Sequence, residues 1–249
     1  MGRAARLLRT APRGIRAAMA KFCRFELRTT DQEAARAFYP KILGHDRAVI
    51  WPLHEQALAR GAKPHWLGYL AVDDVELAMA RFIERGATQL GPAPPIVAGG
   101  RAVVLRDPGG AVVALSTPPL ENSKPAVEVV WQVLNTNDVA RATQNYCELF
   151  GWALTSPIDL GPGGTFEQFA WRPGGQSVGA LADIATRPGV HPHWLFFFEV
   201  DALEPAMMAT RAAGGLVLEP ITLPNGERVC GCDDPQGAAF ALLERQRNR

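Results

Sequence analysis

Pro64-His65-Trp66-Leu67 leads into Gly68-Tyr69-Leu70-Ala71-Val72-Asp73, and Pro192-His193-Trp194-Leu195 leads into Phe196-Phe197-Phe198-Glu199-Val200-Asp201. Each copy is an apolar, aromatic-rich run ending in Asp, the pattern of a buried strand handing over to a helix N-cap. Further matches follow at a near-constant offset of 128 residues: Ala78-Met79 with Ala206-Met207, and Gly86 with Gly214. With one residue of slippage, Asp107-Pro108-Gly109-Gly110-Ala111 answers to Asp234-Pro235-Gln236-Gly237-Ala238. The ordered series marks a tandem duplication.

The start of each half repeats as well, at an offset of 107. Phe22 to Leu27 and Val130 to Leu134 read as strands; Thr30 with Glu33, and Asn137-Asp138, supply helix caps. Tyr146 answers Tyr39, and Gly151 answers Gly44 at the helix C-terminus. From Gly151 to His193 is 42 residues, enough for two or three strands with turns at Gly161-Pro162-Gly163-Gly164 and Pro173-Gly174-Gly175. From Gly44 to His65 is only 21, and Leu53 to Arg60 reads as helical, so the first half is short by about one hairpin. Helices over Asp74 to Arg85 and Leu203 to Ala213 follow the repeated strands, and the Asp-Pro turns join further strand pairs. The sequence therefore predicts an α+β protein of four tandem βαβββ modules, the first abbreviated, forming two curled-sheet domains. The expected segments are a basic extension over 1–21, a first domain over 22–117, a linker over 118–125 and a second domain over 126–245.

Composition fits two soluble globular domains: 249 residues, 47% hydrophobic and 20% charged. No apolar run approaches the roughly 18 residues that span a bilayer, so no membrane partner is expected. Net charge is +1, which argues against nucleic acid as a partner. Arg3, Arg6, Arg9, Arg13, Arg16 and Lys21 load the first 21 residues, leaving 20 bases against 25 acids. A transit-type segment, a surface arm, a start at Met19 and a tail that packs on nothing all fit this beginning; the tail is the reading carried forward. Cys23, Cys147, Cys230 and Cys232 are too few for a disulfide scaffold and suit strand positions in a reducing, cytoplasmic compartment.

The pattern resembles the vicinal oxygen chelate superfamily, which includes glyoxalase I, extradiol dioxygenases and bleomycin-resistance proteins. The resemblance covers about residues 22 to 245. It is carried by Phe22-Cys23-Arg24-Phe25-Glu26-Leu27 with Thr29-Thr30-Asp31, Ala37-Phe38-Tyr39, Leu43-Gly44, the Asp-Pro-x-Gly turns and the module order. It implies glyoxalase-like domains whose curled sheets cup a ligand, in many members with a divalent metal held by His, Gln or Glu. The positions implied for those ligands hold Arg24 and Trp131, Leu67 and Leu195, and Ala114 and Ala241, and no acid lies over Ser177 to Leu181. A divalent ion needs several N or O donors converging at about 2.0–2.6 Å. No metal and no other cofactor is therefore expected.

Strand alternation gives the candidate cup residues. Phe22, Arg24 and Glu26 share one parity, as do His65, Leu67, Tyr69 and Ala71. In the second half the sets are Trp131 and Val133, then His193, Leu195, Phe197 and Glu199. The candidate ligand-binding residues are Arg24, Glu26, Tyr69, Trp131, His193, Leu195 and Phe197. Glu26, His65 and His193 are the candidate acid–base groups. Each has a structural alternative: a salt bridge for Arg24 and Glu26, turn-capping for the histidines, core packing for the aromatics. Trp66, Trp194, Phe196 and Phe198 have the opposite parity and belong under the helices. The expected function is metal-independent binding of a small apolar or aromatic molecule by a monomer or homodimer. A glyoxalase- or dioxygenase-type enzyme with ligands recruited from Glu26, His65 and His193 is one alternative; a structural protein with plugged cups is another.

Overall fold

A computed structural model describes residues 20–92, 100–118 and 126–246. The basic extension up to residue 19 and the linker from 119 to 125 lie outside the described residues. The first half runs β1 (Phe22–Thr29), α1 (Gln32–Leu43), β2 (Ile50–Pro52), α2 (Glu55–Ala59), β3 (His65–Ala71), α3 (Val75–Glu84), β4 (Thr88–Pro92), β5 (Ala102–Arg106) and β6 (Val112–Ser116). The second runs β7 (Trp131–Thr136), α4 (Val139–Phe150), β8 (Ala153–Leu154), β9 (Ile158–Asp159), β10 (Thr165–Ala170) and β11 (Gly179–Asp183). It ends with β12 (His193–Glu199), α5 (Leu203–Ala212), β13 (Leu216–Val217), β14 (Ile221–Thr222), β15 (Arg228–Asp233) and β16 (Ala239–Glu244). No helix among the described residues is long and apolar enough to cross a membrane.

The strands form two open, curled sheets. One has the order β2-β1-β3-β6-β5-β4, the other β13-β15-β16-β12-β7-β11-β10-β8. Both are built alike: β1 pairs antiparallel with β3 and β7 with β12, while β3 runs parallel to β6 and β12 to β16. The short β2 lies parallel to β1 where β11 lies parallel to β7. The residues absent from the first module are therefore those of β8 to β10, and α2 fills part of the shortened connection.

Local chemistry explains the helix ends. Asp31 and Asp138 cap α1 and α4, accepting from the N–H of Ala34 and Arg141. The cap of α1 is thus Asp31 rather than Thr30, because Thr29 Oγ1 accepts from the Asp31 N–H and turns its carboxylate toward the helix. Gly44 and Gly151 close the same helices at φ 71° and 73°, a left-handed conformation that suits glycine.

One hydrophobic core lies between the two sheets and their helices. Trp66, Trp194, Phe196 and Phe198 sit in it, as their parity predicts. Its aromatic layer crosses between halves: Phe22 packs edge-on to Phe196 at 5.0–5.4 Å from it and Trp194, and Trp66 meets Phe198 at 4.9 Å. Ala20 is fully buried, donates to Phe150 O and accepts from Trp152 Nε1, which ties the start of β1 to the second half.

Two three-residue relays stitch the halves. Trp66 Nε1 donates to Tyr39 Oη (3.0 Å), and Tyr39 Oη donates to Asp234 Oδ2 (3.0 Å). Trp194 Nε1 donates to Tyr146 Oη (3.3 Å), which donates to Asp107 Oδ2 (3.1 Å). The other oxygen of each aspartate organises its own turn, Asp107 accepting from Gly109 and Ala111 and Asp234 from Gln236 and Ala238. The repeated Trp, Tyr and Asp thus form one device used twice.

Candidate functional site

The sheet faces turned away from the common core are the two cups, and cross-strand register fixes their residues. In the first, Arg24 lies opposite Tyr69, Glu26 opposite Leu67 and Arg28 opposite His65; Tyr69 neighbours Ala114. In the second, Trp131 lies opposite Phe197, Val133 opposite Leu195 and Asn135 opposite His193; Phe197 neighbours Ala241. The frame is the same, with Leu, His and Ala retained at three positions. Arg24, Glu26, Arg28 and Tyr69 give way to Trp131, Val133, Asn135 and Phe197.

The first cup carries an ion cluster along β1 and β3. Glu26 is 3% exposed. Its Oε2 accepts from Arg28 Nη2 (2.6 Å) and Tyr69 Oη (2.7 Å), and Arg28 Nη2 also reaches Tyr69 Oη (2.8 Å). Burial pushes the Tyr69 hydroxyl up to about 12, keeping it a donor. The Arg24 guanidinium lies over the Tyr69 ring at 3.8 Å, with Nε 3.3 Å from Glu26 Oε1. That contact is an ion pair without hydrogen-bond alignment, for the buried Nε has no hydrogen-bond partner. Phe22 does not share this face, as simple alternation implies it should. Cys23 is the extra residue of a β-bulge, which turns Phe22 into the core.

The second cup is apolar. Val133, Ala180, Ala182, Phe197, Val229, Ala241 and Leu243 form its buried floor, and Trp131, Phe166, Leu195 and Leu223 pack on it while half exposed. Among the described residues its polar groups are few: Gln168 on β10 lies opposite Ala180, and Asn135 and His193 stand at the edge. His193 Nδ1 donates to His191 O (2.8 Å), leaving Nε2 to accept from Asn135 Nδ2 (3.2 Å). His65 Nδ1 donates to Lys63 O in the same way. Burial lowers the pKa of both rings, so each is a neutral turn-capping imidazole at pH 7. Glu199, expected among the cup's polar groups, is exposed and paired with Arg245 at 2.8 Å.

The described residues of the two cups do not fit a divalent metal. The positions that the resemblance marks for ligands offer only Arg24, Leu67 and Ala114, or Trp131, Leu195 and Ala241. The buried cup carboxylate, Glu26, already faces two guanidiniums whose charge opposes a cation. Among the described residues, no three His, Cys, Asp or Glu side chains are grouped to hold an ion. A separate cleft of about 30 Å³, bordered by Asp107, Thr136, Arg141 and Tyr146, has room for a water or two and not for an organic ligand.

Sequence reading missed Arg28, Asn135 and Phe166. Arg28 and Asn135 share the parity of Arg24 and Trp131 and could be found by extending each strand one residue. Phe166 lies on β10, within a long Gly- and Pro-rich stretch that hides strand parity.

Residues 128–242 match the family model of the Glyoxalase/Bleomycin resistance protein/Dioxygenase superfamily. CFP32 of Mycobacterium bovis, provisionally named a glyoxylase, is 29% identical over 245 residues, covering 88% of this chain and 92% of the relative. The anthracycline biosynthesis protein DauV of Streptomyces sp. is 29% identical over 185 residues, covering 72% of this chain and 65% of the relative. Homoprotocatechuate 2,3-dioxygenase of Brevibacterium fuscum, solved with 3,4-dihydroxyphenylacetate, has a TM-score of 0.64 at 18% identity, covering 93% of this chain and 82% of that one. At that identity the likeness is one of fold. The sequence match to the Glyoxalase/Bleomycin resistance protein/Dioxygenase superfamily thus lies in the second half of the chain, and the likeness of fold extends through both halves.

Proposed function

We propose that this chain binds a small apolar or aromatic molecule in the second cup without a metal. The observation that carries the reading is the half-exposed lining of Trp131, Phe166 and Leu195 over a buried apolar floor. A ligand site needs such a lining with a few placed polar groups, here Asn135 and His193 at the edge. An aromatic ligand would stack on Trp131. The name of DauV, an anthracycline biosynthesis protein, is compatible with an aromatic ligand. The enzyme alternative, suggested by the glyoxylase name of CFP32, has less support. Both nitrogens of His193 are engaged, and Glu26 is committed to arginines.

Native mass spectrometry of the freshly purified protein should reveal a co-purifying organic molecule, with less than one divalent metal per chain by elemental analysis. Titrated back, that molecule should bind Trp131→Ala more weakly by about 1–3 kcal/mol. Arg24→Ala should bind it as wild type does. The reverse pattern would move the site to the first cup, and one metal per chain would favour the enzyme reading.

A further inference from the structure

We propose a second, chemically different site in the first cup: an anchor for the carboxylate of a small apolar acid, centred on Arg24. The cluster around Glu26 contains two guanidiniums and one carboxylate, an excess of one positive charge. The two arginines are not equivalent. Arg28 is tied to Glu26 and Tyr69 in a closed triangle of contacts between 2.6 and 2.8 Å. Arg24 is held by position rather than by hydrogen bonds, for its Cζ lies 3.8 Å from the Tyr69 ring centroid and Glu26 lies near but out of line with Nε.

Its Nε is buried without a hydrogen-bond partner, while 27% of the side chain stays open to solvent. The buried Nε faces Glu26 and is closed to a ligand. The donors left for one are the Nη groups, which no hydrogen bond among the described residues engages and whose planar pair fits a carboxylate in a fork geometry that lysine cannot supply. Beside it the same face carries smaller apolar side chains: Ala114 neighbours Tyr69, and Val104 lies across from Ala114. Ala102, Val104 and Val112 are half exposed on that face. They offer an apolar bed next to a fixed cation, which selects an acid with an apolar body over its neutral analogue. In the second half Trp131 stands at the position of Arg24, so the two cups select different ligands.

Benzoate and benzyl alcohol are suitable probes, titrated into the full chain by NMR. Benzoate should saturate one site, and benzyl alcohol should bind that site at least about ten-fold more weakly. Arg24→Gln should weaken benzoate by about ten-fold or more, while Trp131→Ala leaves it unchanged. Unchanged benzoate affinity in a folded Arg24→Gln variant, equal binding of the alcohol, or loss with Trp131→Ala instead would each overturn the site. If Arg24→Gln does not fold, Arg24→Lys keeps the charge and removes the planar fork. Benzoate should then lose most of its advantage over the alcohol, and full retention of that advantage would refute the proposal. Because the Trp131 variant reports the second cup separately, failure there leaves this outcome readable.

Discussion

Glu26 shows how a single side chain decides the character of a cup. It is buried between Arg24 and Arg28, with Tyr69 donating to the same oxygen as Arg28. Removing it would leave two guanidiniums facing each other without a counter-charge. Glu26→Ala should therefore cost about 3–5 kcal/mol in chemical denaturation. Replacing Arg24, Glu26, Arg28 and Tyr69 together by the residues of the other half (Trp, Val, Asn and Phe) should cost far less, because no charge is then stranded. A single variant no less stable than the quadruple one would contradict this account. His65 and His193 supply a pH signature. Burial holds both below the ordinary value of 6.5, so the folded state binds fewer protons than the unfolded state once pH drops below it. Stability should be full above that value and decline as pH falls through it. Asp107 and Asp234, raised by burial, act in the opposite sense at lower pH, since the folded state protonates first. Denaturation midpoints between about pH 7.5 and 5.5 should thus fall in the wild type and flatten in a His65→Gln, His193→Gln variant. An equal slope in both would show that other groups control the response.

Where elements meet, the two copies of the repeated strand differ in a way that lets them touch. Gly68 of β3 stands at the repeat position of Phe196 of β12, and the phenyl ring occupies the space a side chain at Gly68 would need. A Cβ there would lie 2.6 Å from Phe196 Cζ and 2.7 Å from a Phe22 ring atom. Identical residues at both positions would either clash or leave a hole, so the duplicated strand pair packs only because the copies diverged. Gly68→Ala should destabilise by about 1–3 kcal/mol through overpacking. Combining it with Phe196→Leu should recover part of that loss, which thermal or urea melts would resolve. A neutral Gly68→Ala would mean the sheets separate without cost.

Across the molecule, the Trp-Tyr-Asp relays make each half depend on the other. Tyr146 needs Asp107, and Tyr39 needs Asp234, 195 residues away in the chain. Tyr39→Phe or Tyr146→Phe leaves a buried carboxylate oxygen and an indole N–H short of a partner. Each should cost about 1–3 kcal/mol. Since both relays and the aromatic layer cross between halves, the loss should appear as a shift of one cooperative transition, coincident by fluorescence and far-UV CD. Two resolved transitions would show that the halves unfold independently.

Much of the fold is legible in the sequence because a duplication prints each signal twice. The aromatic strands, the helix-ending glycines and the Asp-Pro turns identify themselves by recurrence, and the 21-residue gap before His65 marks the missing hairpin without any structure. Residue type alone also shows that Arg24, Trp131, the two leucines and the two alanines cannot ligate a divalent ion. The candidate sites were only partly legible, since parity counting fails at the Cys23 bulge and fades in the glycine-rich path to Phe166. Strand periodicity is a local property, so the chain itself determined the modules, their order and most side-chain faces. Which face gathered an ionic cluster and which stayed apolar depended on cross-strand neighbours such as Glu26 with Tyr69 and Asn135 with His193. Those pairings span tens of residues, and their consequence rests on desolvation, which exists only after the sheets have closed over them.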